Sequence, residues 1–193
     1  MRIHCLPLIF YRFFNQFNLY EKLGIMPFEK MDEETKEKLT KSHKGKYLTF
    51  VLGKEEYGIE ILKVREIIGL MDITTVPKTP GYMKGVINLR GKVIPIVDLR
   101  LKFSMPEEQH TQETCVIVVE VNNTSIGIIV DSVSEVLDIK SGEIEETPDF
   151  GKGIDTNFIM GLGKAKGKII ILLDIEQVLS SEELEMVEEL ASK

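Results

Sequence analysis

From residue 46 onward, apolar residues come in short runs separated by glycine, proline and small polar residues. Between residues 46 and 175 no run keeps a 3.6-residue period, and residues that favour β-strands are frequent within the runs. The pattern predicts a mainly β body of many short strands, which is typical of barrels or sandwiches. The predicted strands are residues 47–52, 57–61, 65–71, 85–89, 92–99, 114–121, 125–130, 133–139, 158–162 and 168–175.

The two ends of the chain follow other patterns. Residues 1–30 are rich in aromatic residues and the next segment is almost entirely charged or polar, so we predict that residues 1–45 are a flexible leader outside the fold. Because Met26 and Met31 are available as later starts, residues 1–30 are either a loose leader or an over-extended start. At the other end, a capping box followed by apolar residues at helical spacing predicts a helix over residues 180–191.

Two blocks of sequence recur in the same order, which indicates an internal duplication. Residues 58–67 and 127–136 share the pattern G-I-x-[IV]-x-x-V-x-E-[IV]. Residues 85–98 and 161–174 share two glycines, a lysine and an aspartate. The alternative is chance similarity, because glycine and isoleucine are common in any β chain.

We predict that the two copies form two similar five-stranded β-barrel subdomains, residues 46–106 and 113–178. Closing a sheet into a barrel hides strand edges that would otherwise pair with other chains.

Composition narrows the possible functions. The 193-residue chain has 31 acidic and 24 basic residues and a net charge of −7, so it is repelled by phosphate backbones and nucleic-acid binding is disfavoured. Two distant cysteines argue against a disulfide scaffold or a zinc finger and favour a reducing compartment. No stretch reaches the roughly 18 consecutive apolar residues that cross a bilayer. We therefore expect a cytoplasmic protein without direct membrane insertion.

The sequence contains no recognisable catalytic motif: G-x-x-x-x-G-K-[ST], H-E-x-x-H and G-x-S-x-G are all absent. His43 and His110 lie in polar segments without metal-ligand spacing. Asp98 and Asp174 each follow an apolar strand, so we interpret them as strand-end or N-cap carboxylates, and Cys115 as a core residue. We predict that the chain is not an enzyme and that it has no cofactor and no metal site.

The remaining candidates are surface positions. Gly91 permits a tight reversal between two apolar strands, which would leave Arg90 at an exposed strand end. There Arg90 could bind a partner's acidic group or simply be solvated. Val64 and Glu66 would share one face of a strand, and this face suits a partner surface and a barrel wall equally well.

Several blocks carry a resemblance to a known family: residues 57–67, Pro77-x-x-Pro80, residues 84–100, 128–133 and 161–163. The most specific of them is G-V-I-N-L-R-G at residues 85–91. Together they resemble the CheW family, the bacterial chemotaxis coupling proteins, over about residues 46–190.

The resemblance implies one CheW-like domain of two SH3-like β-barrels, between which the family exchanges strands. It also implies a non-catalytic adaptor in signal transduction. Such an adaptor couples the cytoplasmic tips of chemoreceptors to the regulatory domain of the chemotaxis histidine kinase CheA, so that receptors control kinase autophosphorylation. The family's receptor contacts carry over onto Val64, Glu66, Gly85 and Arg90, with Arg90 pairing with an acidic group near the receptor tip.

Two other classes of protein are alternatives to the adaptor. A small-ligand-binding or hydrolytic β-barrel would need a pocket with convergent polar groups, and its melting temperature would shift with some metabolite. A nucleic-acid-binding barrel would need a basic face lined by aromatic residues, but only 7% of the residues are aromatic.

Overall fold

The computed structural model describes residues 45–147 and 156–191, so the predicted leader lies outside the described residues except for its last position. Short 3-10 turns at Ile61–Lys63 and Ser141–Glu143 interrupt the strands. The strands and α-helices of the described part are β1 (Lys46–Leu52), β2 (Glu55–Glu60), β3 (Val64–Gly69), β4 (Met83–Leu89), β5 (Lys92–Asp98), α1 (Leu99–Lys102), β6 (Cys115–Val121), β7 (Thr124–Val130), β8 (Ser132–Asp138), β9 (Ile144–Glu145), β10 (Ile159–Ala165), β11 (Lys168–Leu173) and α2 (Ser181–Ala191).

The strands form two sheets that repeat one arrangement. Sheet A has the order β8-β1-β2-β11-β10-β9, and sheet B has the order β3-β6-β7-β5-β4. Each sheet contains one parallel pair at the same place, β2 with β11 in sheet A and β7 with β5 in sheet B. The predicted mainly β class with two β subdomains is confirmed, and so is the C-terminal helix.

Each sheet is completed by a hairpin from the other half of the chain. The β1–β2 hairpin lies between β8 and β11, and the β6–β7 hairpin lies between β3 and β5. The segments 46–106 and 113–178 therefore each contribute strands to both sheets.

Neither sheet closes into a barrel through its strand ladder, so the closure predicted from sequence is wrong. Within the described residues, β8 and β9 are the edges of sheet A, and β3 and β4 are the edges of sheet B. Beyond β4 the ladder continues only as an isolated bridge between Thr74 and Val86. Pro77 and Pro80 follow that bridge, and because proline has no amide donor they do not continue the ladder on that side. Sheet A has the two-residue β9 in the same place, which makes six strands instead of five.

Each sheet packs around its own apolar core. The alternation of inward apolar residues along short strands is what places these side chains together. The buried core of sheet B includes Ile87, Ile94, Ile96, Val116, Val118 and Ile129. The buried core of sheet A includes Tyr47, Ile139, Ile170 and Leu172.

Helix α2 is anchored through its first turn against the start of β4 and α1. The Ser180 amide donates to Glu183 Oε2 at 2.6 Å, and the Glu183 amide donates to Ser180 Oγ at 3.3 Å, which confirms the predicted capping box. Lys102 Nζ lies 2.6 Å from both oxygens of the same carboxylate, and the Tyr82 hydroxyl donates to it as well. One glutamate thus caps the helix and holds it to the body.

Candidate docking site

The turn between β4 and β5 presents Arg90 to solvent. Arg90 and Gly91 both have positive φ, 53° and 86°, as expected for the two central residues of a tight hairpin. Asn88 Oδ1 accepts a hydrogen bond from the Gly91 amide at 2.9 Å. The Arg90 side chain is 73% exposed. The predicted exposed position of Arg90 at a strand end is confirmed.

Arg90 forms a two-pronged ion pair with Glu66. Its Nη1 lies 3.3 Å from Glu66 Oε1 and its Nη2 lies 2.9 Å from Oε2, while the glutamate side chain is only 20% exposed. Glu66 belongs to β3 and Arg90 follows β4, and these are the two edge strands of sheet B. The ion pair therefore spans the open side of the sheet, where no strand ladder connects the edges.

Val64 lies in the buried wall of the sheet and is only 6% exposed. A register shift separates Val64 from Glu66 in the pairing of β3 with β6, so one extra residue stands between them. Because of this bulge, the simple alternation predicted for the two residues does not hold. Glu66 reaches the surface and Val64 does not.

Gly85 is also buried, and its role is to let the main chain pass closely. Its φ is +136°, and a Cβ at this position would lie 2.1 Å from the carbonyl oxygen of Thr74. The structure therefore brings Glu66 and Arg90 together at the surface and places Val64 and Gly85 in the buried framework. The pairing of Glu66 with Arg90 was not predicted, because the sequence separates them by 24 residues.

The predicted structural roles of two aspartates are confirmed, whereas Cys115 is not the fully buried core residue that was expected. Asp98 Oδ1 accepts a hydrogen bond from the Leu101 amide at 3.2 Å, as an N-cap of α1, and Asp174 Oδ1 accepts one from the Glu176 amide at 3.0 Å. Cys115 is half-buried in β6, and burial raises the pKa of its thiol to about 12, so the thiolate is scarce at neutral pH.

Three further observations concern metal ions, membrane spans and cavities in the described part of the chain. Among residues 45–147 and 156–191, no group of three or more His, Cys, Asp or Glu side chains is arranged to hold a metal ion. Across that same part of the chain, no helix is long and apolar enough to span a membrane. One small cavity has a lining of aliphatic side chains only: Val97, Val119, Val121, Ile126, Ile128, Ile175, Val178 and Leu179.

Comparison with known proteins identifies the family. A family model described as CheW-like domain matches residues 46–183. The chain belongs to the CheW-like domain family.

Curated relatives of this CheW-like chain are named chemotaxis proteins. The chain is 44% identical over 145 residues to the chemotaxis protein CheW of Klebsiella aerogenes, which covers 75% of this chain and 87% of that protein. It is 36% identical over 138 residues to the chemotaxis protein CheW of Rhizobium meliloti, covering 72% and 89%. Among solved structures, the scaffolding protein TtCheW of Thermoanaerobacter tengcongensis matches with a TM-score of 0.67 and 35% identity, over 72% of this chain and 96% of that one.

The CheW-like domain also contains a partly buried ion pair that was not predicted from the sequence. Arg100 follows β5 and is buried, with its Nε 2.6 Å from Asp131 Oδ1 and its Nη2 2.7 Å from Asp131 Oδ2. The same Asp131 oxygen accepts a hydrogen bond from the Gly53 amide at 2.7 Å. Gly53 lies in the β1–β2 turn of sheet A and Arg100 in α1 after sheet B, so this cluster joins the two sheets.

Burial opposes the ionisation of Asp131, but the hydrogen bonds from Arg100 and the Gly53 amide and the charge of Arg100 outweigh it and lower its pKa. The ionised Asp131 carboxylate therefore accepts hydrogen bonds from both Arg100 and the Gly53 amide. The only hint in the sequence was the position of Asp131 inside the repeated block.

Proposed function

We propose that this protein is a chemotaxis adaptor that couples the cytoplasmic tips of chemoreceptors to the chemotaxis histidine kinase. It acts in the cytoplasm as a non-catalytic scaffold and so brings kinase autophosphorylation under receptor control. The similarity to chemotaxis proteins over most of their length supports this role. The observation that carries the proposal is the exposed Arg90, held by Glu66 across the open side of sheet B.

The geometry of Arg90 suits the binding of an acidic group. A guanidinium has five N–H donors, and Glu66 uses two of them, so three remain for a receptor carboxylate. Glu66 also restricts the rotamers of Arg90 before binding, which reduces the entropy lost when the partner docks. Val64 and Gly85 contribute indirectly, because they fix the strands from which the two charged residues extend.

The rigid connection between the sheets suits an adaptor that transmits a change from one partner to the other. The Arg100–Asp131–Gly53 cluster and the exchanged hairpins hold sheet A and sheet B in one orientation. A partner that binds on sheet B therefore acts on a body that cannot bend freely at the junction.

The test is a titration of the full chain with a receptor cytoplasmic fragment and with the kinase, together with an assay of receptor-controlled kinase autophosphorylation. Arg90→Glu should weaken receptor binding about tenfold or more, because it places a second carboxylate beside Glu66 and repels the receptor's acidic group. Lys54→Glu, which changes an exposed residue of the β1–β2 turn by the same charge, is the matched control and should bind as the wild type does.

If the wild-type chain binds neither protein in a clean titration, the adaptor role is refuted. If a folded Arg90→Glu variant binds the receptor fragment and couples it to the kinase normally, the adaptor role stands but the docking site is wrong.

A further inference from the structure

The hairpin that carries Arg90 continues directly into the region where the two sheets meet. Strand β5 begins two residues after Arg90, and α1 follows it without a loop. Because β5 has seven residues, it carries the chain about 23 Å from the hairpin tip to α1. Its last five residues are buried, and it pairs with β4 on one side and with β7 on the other. The strand between the hairpin tip and α1 is thus held on both edges.

Arg100 makes the first of two contacts between the α1 region and the other sheet. It binds both carboxylate oxygens of Asp131, which lies where the chain crosses from β7 of sheet B to β8 of sheet A. The same carboxylate accepts a hydrogen bond from the amide of Gly53 in the β1–β2 turn. Arg100 Nη1 also donates to the carbonyl oxygen of Pro106 at 3.2 Å, so the chain that leaves α1 is held at the same point.

Phe103, the C-cap of α1, makes the second contact through an aromatic stack. Its ring lies between those of Tyr57 on β2 and Phe158 beside β10, with centroid distances of 5.9 Å and 5.0 Å. The Tyr57 ring stacks in turn on that of Phe50 on β1, at 5.9 Å. A side chain that follows sheet B is therefore inserted between two rings of sheet A.

Both contacts are directional. A two-pronged bond between a guanidinium and a carboxylate fixes the plane of each group, and stacked rings are restricted in tilt and offset. Together they determine how α1, and with it the β4–β5 hairpin, is oriented relative to sheet A. An aliphatic contact of the same area would hold the sheets together without fixing their orientation so closely.

We propose that Arg100 and Phe103 are positioning residues for the coupling of receptor to kinase, because they fix the orientation of the Arg90 hairpin relative to sheet A. The inference rests on the proposed function and deepens it: Arg90 supplies affinity for the receptor, and the α1 contacts make receptor docking effective on the kinase. When these contacts are weakened, both partners still bind, but receptor occupancy no longer sets the activity of the kinase.

The experiment separates binding from coupling in the full chain. It measures the dissociation constants for the receptor fragment and for the kinase, and then kinase autophosphorylation with both partners saturating. Phe103→Leu keeps an apolar side chain but removes the ring, and Arg100→Lys keeps the charge but not the two-pronged bond. Each should leave both dissociation constants unchanged and reduce the receptor-dependent change in autophosphorylation about fivefold.

Two controls distinguish positioning from a general loss of stability. Phe103→Tyr keeps the ring in the stack and should couple as the wild type does. Ile170→Val removes a methyl group from the core of sheet A, outside the stack, and should lower the melting temperature while coupling stays complete. Melting of every variant checks that it is folded, and Phe103→Leu alone decides the outcome if Arg100→Lys does not fold.

The positioning role is wrong, and the adaptor role stands, if folded Phe103→Leu and Arg100→Lys retain full receptor control at saturation. The same holds if Ile170→Val loses as much control as they do. If the variants instead weaken binding and recover full control once both partners are saturating, these residues support a binding surface and do not position the hairpin. If the wild type binds neither protein, the proposed function fails and this inference fails with it.

Discussion

The absence of a side chain at Gly85 allows the Thr74 main chain to pack closely against β4, the strand that leads to Arg90. An alanine Cβ would lie 2.1 Å from the Thr74 carbonyl oxygen, which belongs to the main chain and cannot move aside. We expect Gly85→Ala to lower the free energy of unfolding by about 3 kcal/mol, since it adds a backbone clash to an unfavourable φ.

Urea denaturation measures this loss. Gly69→Ala is the matched control, because Gly69 ends β3 of the same sheet, has no positive φ, and has no neighbouring atom within 4 Å of the place that an added Cβ would take. Its unfolding free energy should stay within about 0.5 kcal/mol of the wild type. Equal midpoints for the two variants would show that the close approach at Thr74 is relaxed in solution.

The Arg100–Asp131 ion pair makes stability depend on acidity. The pKa of Asp131 is lowered in the folded chain from an ordinary value of 3.8, so its contribution is complete above that value and is lost as the pH falls through the folded pKa. Asp131→Asn should therefore be less stable than the wild type at about pH 7, and the difference should shrink below about pH 4.

Denaturation midpoints across this pH range provide the measurement. Asp72→Asn, at an exposed aspartate, is the control and should follow the wild type throughout. If the difference in denaturation midpoint between Asp131→Asn and the wild type stays constant with pH, the Asp131 charge does not hold the two sheets together.

At the scale of single elements, Glu183 caps α2 and connects its first turn to Lys102 and Tyr82. Its carboxylate bonds to the Ser180 amide and to Lys102, and Tyr82 donates to it. Glu183→Gln keeps the size but removes the charge, and it should lower the unfolding free energy by about 1–2 kcal/mol.

Hydrogen exchange of the helix amides should report the same loss as faster exchange along Ser181–Ala191. Glu185→Gln removes the same charge from an exposed position of the same helix and is the control. If the helix amides of Glu183→Gln and Glu185→Gln exchange at the same rate, the cap at Glu183 stabilises the helix no more than its net charge does.

Local sequence signals predicted the elements well and their irregularities poorly. The turn at Arg90–Gly91 could be predicted because glycine accepts the positive φ that a tight hairpin requires. The bulge between Val64 and Glu66 could not be predicted, because a prediction from side-chain alternation assumes that no extra residue is inserted in the strand. Barrel closure was wrongly predicted because it depends on whether distant edges pair, which no local pattern encodes.

The docking site shows the same division. Arg90 was predictable as an exposed hairpin residue, but its bond to Glu66 depends on two edge strands that meet only in the folded sheet. Its expected role came from the family resemblance and not from spacing. The duplicated blocks place Glu135 and Lys166 where the first copy has Glu66 and Arg90, and Lys166 Nζ lies 2.5 Å from Glu135 Oε2.

At the scale of the whole molecule, the exchanged hairpins should make the two halves interdependent. Residues 45–107 alone would leave the β1–β2 hairpin without β8 and β11, and residues 108–191 alone would leave the β6–β7 hairpin without β3 and β5. We expect neither half to fold by itself and an equimolar mixture to regain the circular dichroism of the intact chain.

Cooperative thermal unfolding of either half on its own would contradict this expectation. The intact chain, cut in the loop between α1 and β6 after folding, provides the control, because its strands are already paired.

The exchange also bears on how such a protein could arise. A single, unduplicated repeat would contain a hairpin that fits into the sheet of a second, identical molecule. Its stable form would therefore be a symmetric dimer that exchanges hairpins. Fusion of two gene copies would turn that swap into an event within one chain. Once fused, the copies no longer had to stay identical, and one could keep an arginine at its hairpin tip while the other carried a lysine.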